Sequence, residues 1–530
     1  MDHIVLASFI GLTGSVAIIS YLNTKRNTTT TTEGHFFANR SNNFLIVGGA
    51  LFLSNISANQ FIGENESIFI NNMSVIAWGV SSVFAILLVS EFMLPVYFKT
   101  GTMTIPDFLE KRYGPSTKRL VSVIFLASYL VNLLPSALYG GAIACIGILG
   151  IFDSTGISYW VQIWIVVWII GSIGAAYTIL GGLRAITVSD TVLSVGLLII
   201  GLAIPYYGFE YLGDGDWYEG IQYMLANSGD KLNSIGGPND EVPFMTIFTG
   251  MFIMNLYYWG MEQYIVQQAL TAKNLAESQK GMALACVGKL LSPFLINVPG
   301  IIGVLIFSDL INTAEVFPRV VNATLPSLMT GLTGAVVFGA ALTTFNAGLT
   351  SSSTLFTLNF YKPFKNSKGK EVSDKELIRS SKYFEIIVSL LVMFSAPFIF
   401  FSDTGFYTYL QKLAGMFSVP VFTIVLFGFF VKRSSPKAAN SGVLFFLITY
   451  FILTYVLDLE IHFLHTLFFL FAITSLFLLI SGRVSPALVL EKANHVESQV
   501  IPWKNRHWVA FALILMMIAV FALFSPIGIS

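Results

Sequence analysis

Charge is scarce in this chain. Only 11% of its 530 residues are Asp, Glu, Lys or Arg, and 29 basic side chains balance 29 acidic ones. Zero net charge gives no general hold on nucleic acid, so no nucleic-acid partner is expected. Cysteine is scarcer still. Cys145 and Cys286 both sit in apolar runs and read as plain core residues, silent about redox compartment. The six histidines are His3, His35, His462, His465, His495 and His507, and they avoid the polar stretches described below. Neither HExxH nor GxSxG occurs, so an intramembrane metallo- or serine enzyme lacks its parts and the chain is read as a non-enzyme. His462 and His465, three apart near a helix start, share a face and read as interface residues.

What fills the space is apolar. The chain is 55% hydrophobic and 14% aromatic, with a mean hydropathy of +0.74, the composition of an integral membrane protein. Windows near the length of a bilayer span fall at 3–22, 44–71, 74–98, 118–149, 157–179, 186–208, 244–264, 276–308, 328–360, 380–402, 405–431, 438–457, 461–482 and 507–526. The first has no Lys or Arg before it and exceeds a signal-peptide core, so it is kept as a spanning helix. Windows 118–149 and 276–308 are too long for an upright span and predict tilt or extension beyond the bilayer.

Threading these windows with the N-terminus outside puts every Lys and Arg in inner loops except Lys231, Arg319, Lys289 and Lys412. A missed helix would have inverted that pattern downstream, so both termini are expected outside a cytoplasmic (inner) membrane. Lys231 and Arg319 fall in outer loops. Lys289 and Lys412 fall inside windows, where a cation either faces the bundle interior or snorkels to the interface. The outer loop 209–243 is acidic and Gly/Asn-rich, an exposed connection able to fold over the surface.

The chain is organised around LFLSNISANQFIGENE, Leu51 to Glu66, where Ser54, Asn55, Ser57, Asn59 and Gln60 gather before Gly63 inside a window. Lipid offers no hydrogen bonds there, so protein, ion or substrate must satisfy these groups. A polar, Gly-punctuated interruption frees carbonyls and side-chain oxygens, the arrangement by which secondary transporters hold Na+ beside a solute. A second candidate break is MNLYYWGMEQY, Met254 to Tyr264. Asn55 and Asn255 lie equally far into windows that begin near 44 and 244, with an odd number of spans between the two starts. A repeat of five helices would therefore return upside down, with spans 2 to 6 and 7 to 11 as the two copies. The boundaries that follow are 1–43 for a first helix and cytoplasmic linker, 44–243 for one repeat with its acidic loop, 244–437 for the second, and 438–530 for three peripheral helices.

Ala340, Thr343 and Thr344 lie within one turn of window 328–360, so a carbonyl and two hydroxyls converge on one face. Such uncharged hard oxygens suit a weakly held monovalent cation. Hydroxyls bonded back to their own helix, or packed at a small-residue interface, explain the same pattern. Asp190, at the inner start of the sixth window, either faces an ion exit path or pairs with a cation such as Arg184.

NISANQFIG (Asn55 to Gly63), TIPDFLEKRYG (Thr104 to Gly114), LGGLRAITVSD (Leu180 to Asp190) and NLYYWGMEQYIVQ (Asn255 to Gln267) together resemble the sodium/solute symporter family, in particular its bacterial sodium/sugar (galactose/glucose) branch, over about residues 33–440. The resemblance implies an all-α polytopic fold of about fourteen transmembrane helices with an inverted five-plus-five repeat, amino-acid-transporter-like, with broken helices. It implies Na+ as the coupling ion, no organic cofactor, and a sugar or sugar acid as solute. The Na+ site would comprise the carbonyls of Leu53, Ile56 and Ala340 and the hydroxyls of Thr343 and Thr344, with Asp190 assisting release. The solute would meet Gln60, Ser82, Asn255, Lys289 and Gln411, with Tyr258 as inner gate and Trp78 and Tyr407 as outer aromatic gate.

Several positions depart from the family pattern. Thr343 and Thr344 stand where it often has serines, which keeps the oxygens. Gly79 stands where the sugar branch has a glutamate, and Glu64, with Glu66 close behind, where it has an apolar gate residue. Glu64 then supplies the missing carboxylate from another wall, or Lys289 receives an acidic solute, or both glutamates face the outer vestibule. Alternatives carried alongside are a Na+ symporter of an organic acid, amino acid or polyol, and a receptor or channel-like protein without coupled transport.

Overall fold

The computed structural model describes all residues but 1, 26–39, 102–103, 154, 239, 311, 370, 402–405, 432–434, 458–460 and 485–499. His35, His495 and most of the linker before residue 43 lie outside the described set, as do the side chains of Leu53 and Arg184. Among the described residues, twelve helices are long and apolar enough to cross a membrane. They coincide with all the sequence windows except 44–71 and 244–264, because those two are broken into pieces too short to qualify.

The labelled helices are α1 (His3–Lys25), α2 (Phe44–Asn55), α3 (Asn65–Ile70), α4 (Ala77–Leu88), α5 (Leu134–Leu149), α6 (Tyr159–Leu212), α7 (Gly250–Gly260), α8 (Gln263–Ala269), α9 (Leu275–Ser292), α10 (Ser327–Phe356), α11 (Asp374–Ser395) and α12 (Phe406–Phe430). Three more follow at Pro436–Phe451, Phe463–Val484 and Arg506–Leu523. The long windows are absorbed by π turns, Tyr129–Leu133 before α5 and Pro293–Asn297 after α9, each beside a proline that removes a backbone donor.

Helix α6 covers two windows and doubles back on itself. Gly174 packs on Phe345 and Asn346 and Ile170 lies by Ala341, so its first part runs parallel to α10. Asp190, Leu193 and Gly196 meet Thr343, Gly339 and Val336 in turn, so its second part runs antiparallel to α10. The reversal falls between Gly174 and Asp190.

Two helices are broken. Helix α2 ends at Asn55 and the chain resumes as a π turn, Gln60–Glu64, leading into α3. The second break is at Met261 and Glu262, between α7 and α8. It lies inside the predicted stretch but after Asn255, and the reason is the helix start. Phe244–Phe248 is a 3-10 turn, and the α-helix begins only at Gly250. Asn42 N donates to Thr271 O at 3.1 Å and Lys273 N to Asn42 O at 3.1 Å, tying the entry to α2 to the exit from α8.

Ile165, Ile169, Ile199 and Leu202 of α6, and Leu390, Leu391 and Phe394 of α11, are exposed on the bundle surface. A continuous apolar exterior of this kind is solvated by acyl chains. The loop before α7 does fold over one end. Lys231 Nζ donates to the Phe69 and Ile70 carbonyls, satisfying the C-terminus of α3. Glu241 accepts from Ser67, from Asn71 Nδ2 at 3.1 Å and from Thr408, so one loop carboxylate fastens α3 to α12. Glu241→Ala should loosen that closure. Hydrogen bonds to a charged acceptor contribute about 1.5–3 kcal/mol each, so a cysteine introduced by Ser82→Cys should react about tenfold faster with an impermeant maleimide from the outside. An unchanged rate would show that these bonds do not hold this end shut.

Candidate functional site

The break in α2 releases backbone acceptors. In an unbroken helix Gln60 N–H would bond Ile56 O; here it donates to Ser57 O at 3.0 Å, which frees the Ile56 carbonyl inside the bundle. Leu53 contributes its backbone in the last turn of α2. Asn55 and Ser57 on this side, and Thr344 of α10 on the other, line one central cavity of about 200 Å³.

Thr343 Oγ1 donates to Asp190 Oδ1 at 2.7 Å, and Thr344 Oγ1 donates to Ala340 O at 3.1 Å. The second is the back-bonding weighed for these hydroxyls, and it does not remove them as ligands. A hydroxyl that gives its hydrogen elsewhere keeps its lone pairs for a cation. Asp190 is 0% exposed, and its Oδ2 meets no donor among the described residues. The structure thus brings Asp190, Thr343, Thr344 and Ala340 together beside the α2 break.

The cavity is lined by Gln60, Ser82, Asn255, Lys289 and Gln411, together with Tyr258, Trp78 and Tyr407. Every predicted solute residue except Glu64 is on its wall. Ser82 Oγ donates to Gly79 O at 2.6 Å, and Asn255 Nδ2 donates to Ser81 Oγ at 3.1 Å, which leaves the Asn255 carbonyl free to accept. Tyr258 and Tyr264 join through their hydroxyls, with ring planes at 77°. Both rings line the cavity.

Lys289 is 5% exposed and donates no hydrogen bond within the described residues; Glu64 acts on it at longer range. A side chain at position 79 would begin 3.7 Å from Lys289 Cδ and 3.1 Å from Ser292 Oγ. Gly79 therefore lets α4 pack closely on α9 beside Lys289.

Glu64 lies one layer behind the wall and is 3% exposed. Its Oε1 accepts from Gln60 Nε2 at 2.8 Å and Tyr407 OH at 3.3 Å, and its Oε2 from Asn297 Nδ2 at 2.8 Å. It orients two cavity residues rather than facing either solute or vestibule. Glu66 is buried too and accepts from Thr313 Oγ1 at 2.8 Å. Gly63 permits this packing, since a Cβ there would sit 3.0 Å from the Tyr407 ring. Lys412, the other intramembrane cation, borders a separate cavity with His462, His465 and Glu241. The two imidazoles are 6.1 Å apart, on one face as the spacing predicts.

Glu262 was missed by sequence reasoning. It stands at the second break, lines the cavity, and accepts from Tyr129 OH at 2.5 Å. The signal was available: a carboxylate inside a spanning window is a functional residue by default.

A family model described as the sodium:solute symporter family matches residues 35–445. Among curated proteins, the "Uncharacterized symporter YidK" of Escherichia coli (strain K12) is 35% identical, over 100% of this chain and 92% of that one. The "Sodium/glucose cotransporter" of Vibrio parahaemolyticus is 28% identical over 79% of each. The human "Sodium/myo-inositol cotransporter 2" is 27% identical over 84% and 68%. Among solved structures, a substrate-bound, outward-open Na+-coupled sialic acid symporter superposes with a TM-score of 0.76 over 92% of this chain and 99% of that one, at 18% identity. A nucleobase-cation-symport-1 family transporter gives 0.56 over 88% and 98%, at 16%. At such identities the likeness is one of fold, the all-helical inverted repeat with broken helices. These relatives and neighbours are transporters, not enzymes.

Proposed function

The chain belongs to the sodium:solute symporter family, and from that premise we propose that it couples inward Na+ flow to uptake of a hexose or a closely related sugar acid. The observation that carries the solute assignment is the cavity wall. Amides at Gln60, Asn255 and Gln411 donate and accept, aromatic faces at Trp78 and Tyr407 suit a pyranose ring, and Lys289 offers uncommitted charged donors. The sodium/glucose relative favours a neutral sugar, and the sialic acid symporter of the same fold favours an acid. Lys289, buried on the cavity wall with no hydrogen-bond acceptor among the described residues, favours the acid.

Na+ would be held by the carbonyls of Leu53, Ile56 and Ala340 and the hydroxyls of Thr343 and Thr344, with Asp190 hydrogen-bonded to Thr343 on the release side. An ion in that place joins the α2 break to α10. Its binding stabilises whichever arrangement keeps the two together, and linkage requires that this raise the affinity for a solute bound in the same arrangement. The membrane is the cytoplasmic (inner) one with both termini outside, and residues 44–243 and 244–437 are the two repeats.

The test is uptake into proteoliposomes under an imposed inward Na+ gradient, with neutral hexoses and sugar acids side by side and Lys289→Ala in parallel. Na+-dependent, saturable accumulation is expected. Preference for an acid, lost by about ten- to a hundredfold in affinity in Lys289→Ala, marks an anionic solute, since a charge-assisted hydrogen bond contributes about 1.5–3 kcal/mol. A neutral hexose accumulated equally by both proteins assigns the neutral sugar. Uptake indifferent to Na+ would refute the symport reading.

A further inference from the structure

From Thr343 onward, α10 carries a polar face that the solute and ion assignments above use only at its first residue. Thr343, Asn346, Thr350 and Ser353 recur at three- and four-residue intervals, so they line one face of the helix, and all are buried. At the far end of that face stands Glu385 of α11, 0% exposed. Its Oε1 accepts from Ser353 Oγ at 2.7 Å and Ser381 Oγ at 3.2 Å, and the two serine hydroxyls are 3.0 Å apart. Among the described residues its Oε2 has no donor, and neither do Asn346 Oδ1, Thr350 Oγ1 and Asp190 Oδ2 along the same face. Bare acceptor oxygens therefore run from one buried carboxylate to the other, a rise of about 15 Å for ten residues of helix.

A buried carboxylate with one oxygen saturated by hydroxyls and the other bare is costly unless something of opposite charge shares the site. Lys382 acts on Glu385 only at a distance. A small hard cation is the ligand that a carboxylate and neighbouring hydroxyl oxygens accommodate, and a single such charge is what one carboxylate offsets.

We propose that Glu385, Ser353 and Ser381 form a second Na+ station, which receives the ion as it leaves the Asp190–Thr343 site along the polar face of α10. This rests on the Na+-symport reading. Helix α10 would then serve both as a wall of the first ion site and as the track to the second.

Equilibrium binding of 22Na+ to the purified full chain at pH 8 tests it, with no need to know the solute. Two saturable components are expected in the unaltered protein. Glu385→Gln, close in shape and lacking the charge, should weaken one of them at least tenfold, and Thr343→Ala should weaken the other. If Glu385→Gln does not yield folded protein, the paired Ser353→Ala and Ser381→Ala substitution decides, because it leaves the carboxylate but removes its neighbouring oxygens and should weaken the same component. Isotherms that superimpose on the unaltered protein would mean that Glu385 carries a proton or merely packs, and would overturn the second station. So would loss of one shared component in both Glu385→Gln and Thr343→Ala. If the unaltered protein binds no Na+ at all, the symport reading itself fails, an outcome distinct from a single component sensitive only to Thr343→Ala.

Discussion

Asp190→Asn should raise the external Na+ concentration for half-maximal uptake by about ten- to a hundredfold, and Thr343→Ala should shift it in the same direction. The side chains are coupled: Thr343 gives its hydrogen to Asp190 Oδ1 at 2.7 Å, and the carboxylate is 0% exposed with Oδ2 unpartnered. A Na+ near Thr343 therefore meets a hydroxyl whose lone pairs are turned outward by its bond to a full negative charge. The amide in Asp190→Asn keeps the shape and an acceptor for Thr343 but removes the charge. A hydrogen bond to a charged group contributes about 1.5–3 kcal/mol, and each 1.4 kcal/mol is about tenfold in affinity, which sets the expected range. Solute affinity at saturating Na+ should move far less, because neither residue is among the amides and aromatics of the solute wall. Measuring uptake against external Na+ in proteoliposomes, with solute in excess, checks both shifts. Unchanged Na+ dependence in both variants would remove these residues from the ion site.

The first break was legible because its signal is compositional. Ser54 to Gln60 cannot rest in an apolar window without partners, and Gly63 follows at the point where Tyr407 must approach. The second break was legible only as a region. The apolar run Leu256 to Trp259 continues the helix past Asn255, and the true start at Gly250 depends on a 3-10 turn that apolar windows do not register. The solute wall came from motif resemblance, and eight of the nine residues it named for solute and gates line one cavity, which packing alone would not have revealed: amides and rings from four distant segments meeting around one space. Glu64 fell one layer back because the π turn Gln60–Glu64 rotates it away from Gln60's face toward Asn297. Glu385 passed unnoticed because it lies near the start of a window, where a carboxylate ordinarily reads as a solvated flank; only α10 packed beside it makes it interior.

Lys289→Met and Glu64→Gln should each destabilise the protein, and the double substitution should restore much of what either one loses. Both side chains are buried and act on each other without a direct ion pair, while Glu64 also holds Gln60, Asn297 and Tyr407. Removing one member of a buried pair strands the other charge, at a cost of about 3–5 kcal/mol, whereas removing both strands neither. In Glu64→Gln there is a further conflict: the new amide brings its own N–H groups against donors from Asn297, Gln60 or Tyr407, so Gln60 and Tyr407 lose their fixed orientation on the cavity wall. Thermal unfolding of the four proteins in one detergent forms a double-mutant cycle, with an expected coupling of about 1–3 kcal/mol. Additive losses would mean that Glu64 is held by its hydrogen bonds alone and that Lys289 is reserved for the solute. Transport separates the two roles further. The double variant should regain fold but not affinity for an acidic solute, because its cavity wall no longer carries the Lys289 ammonium.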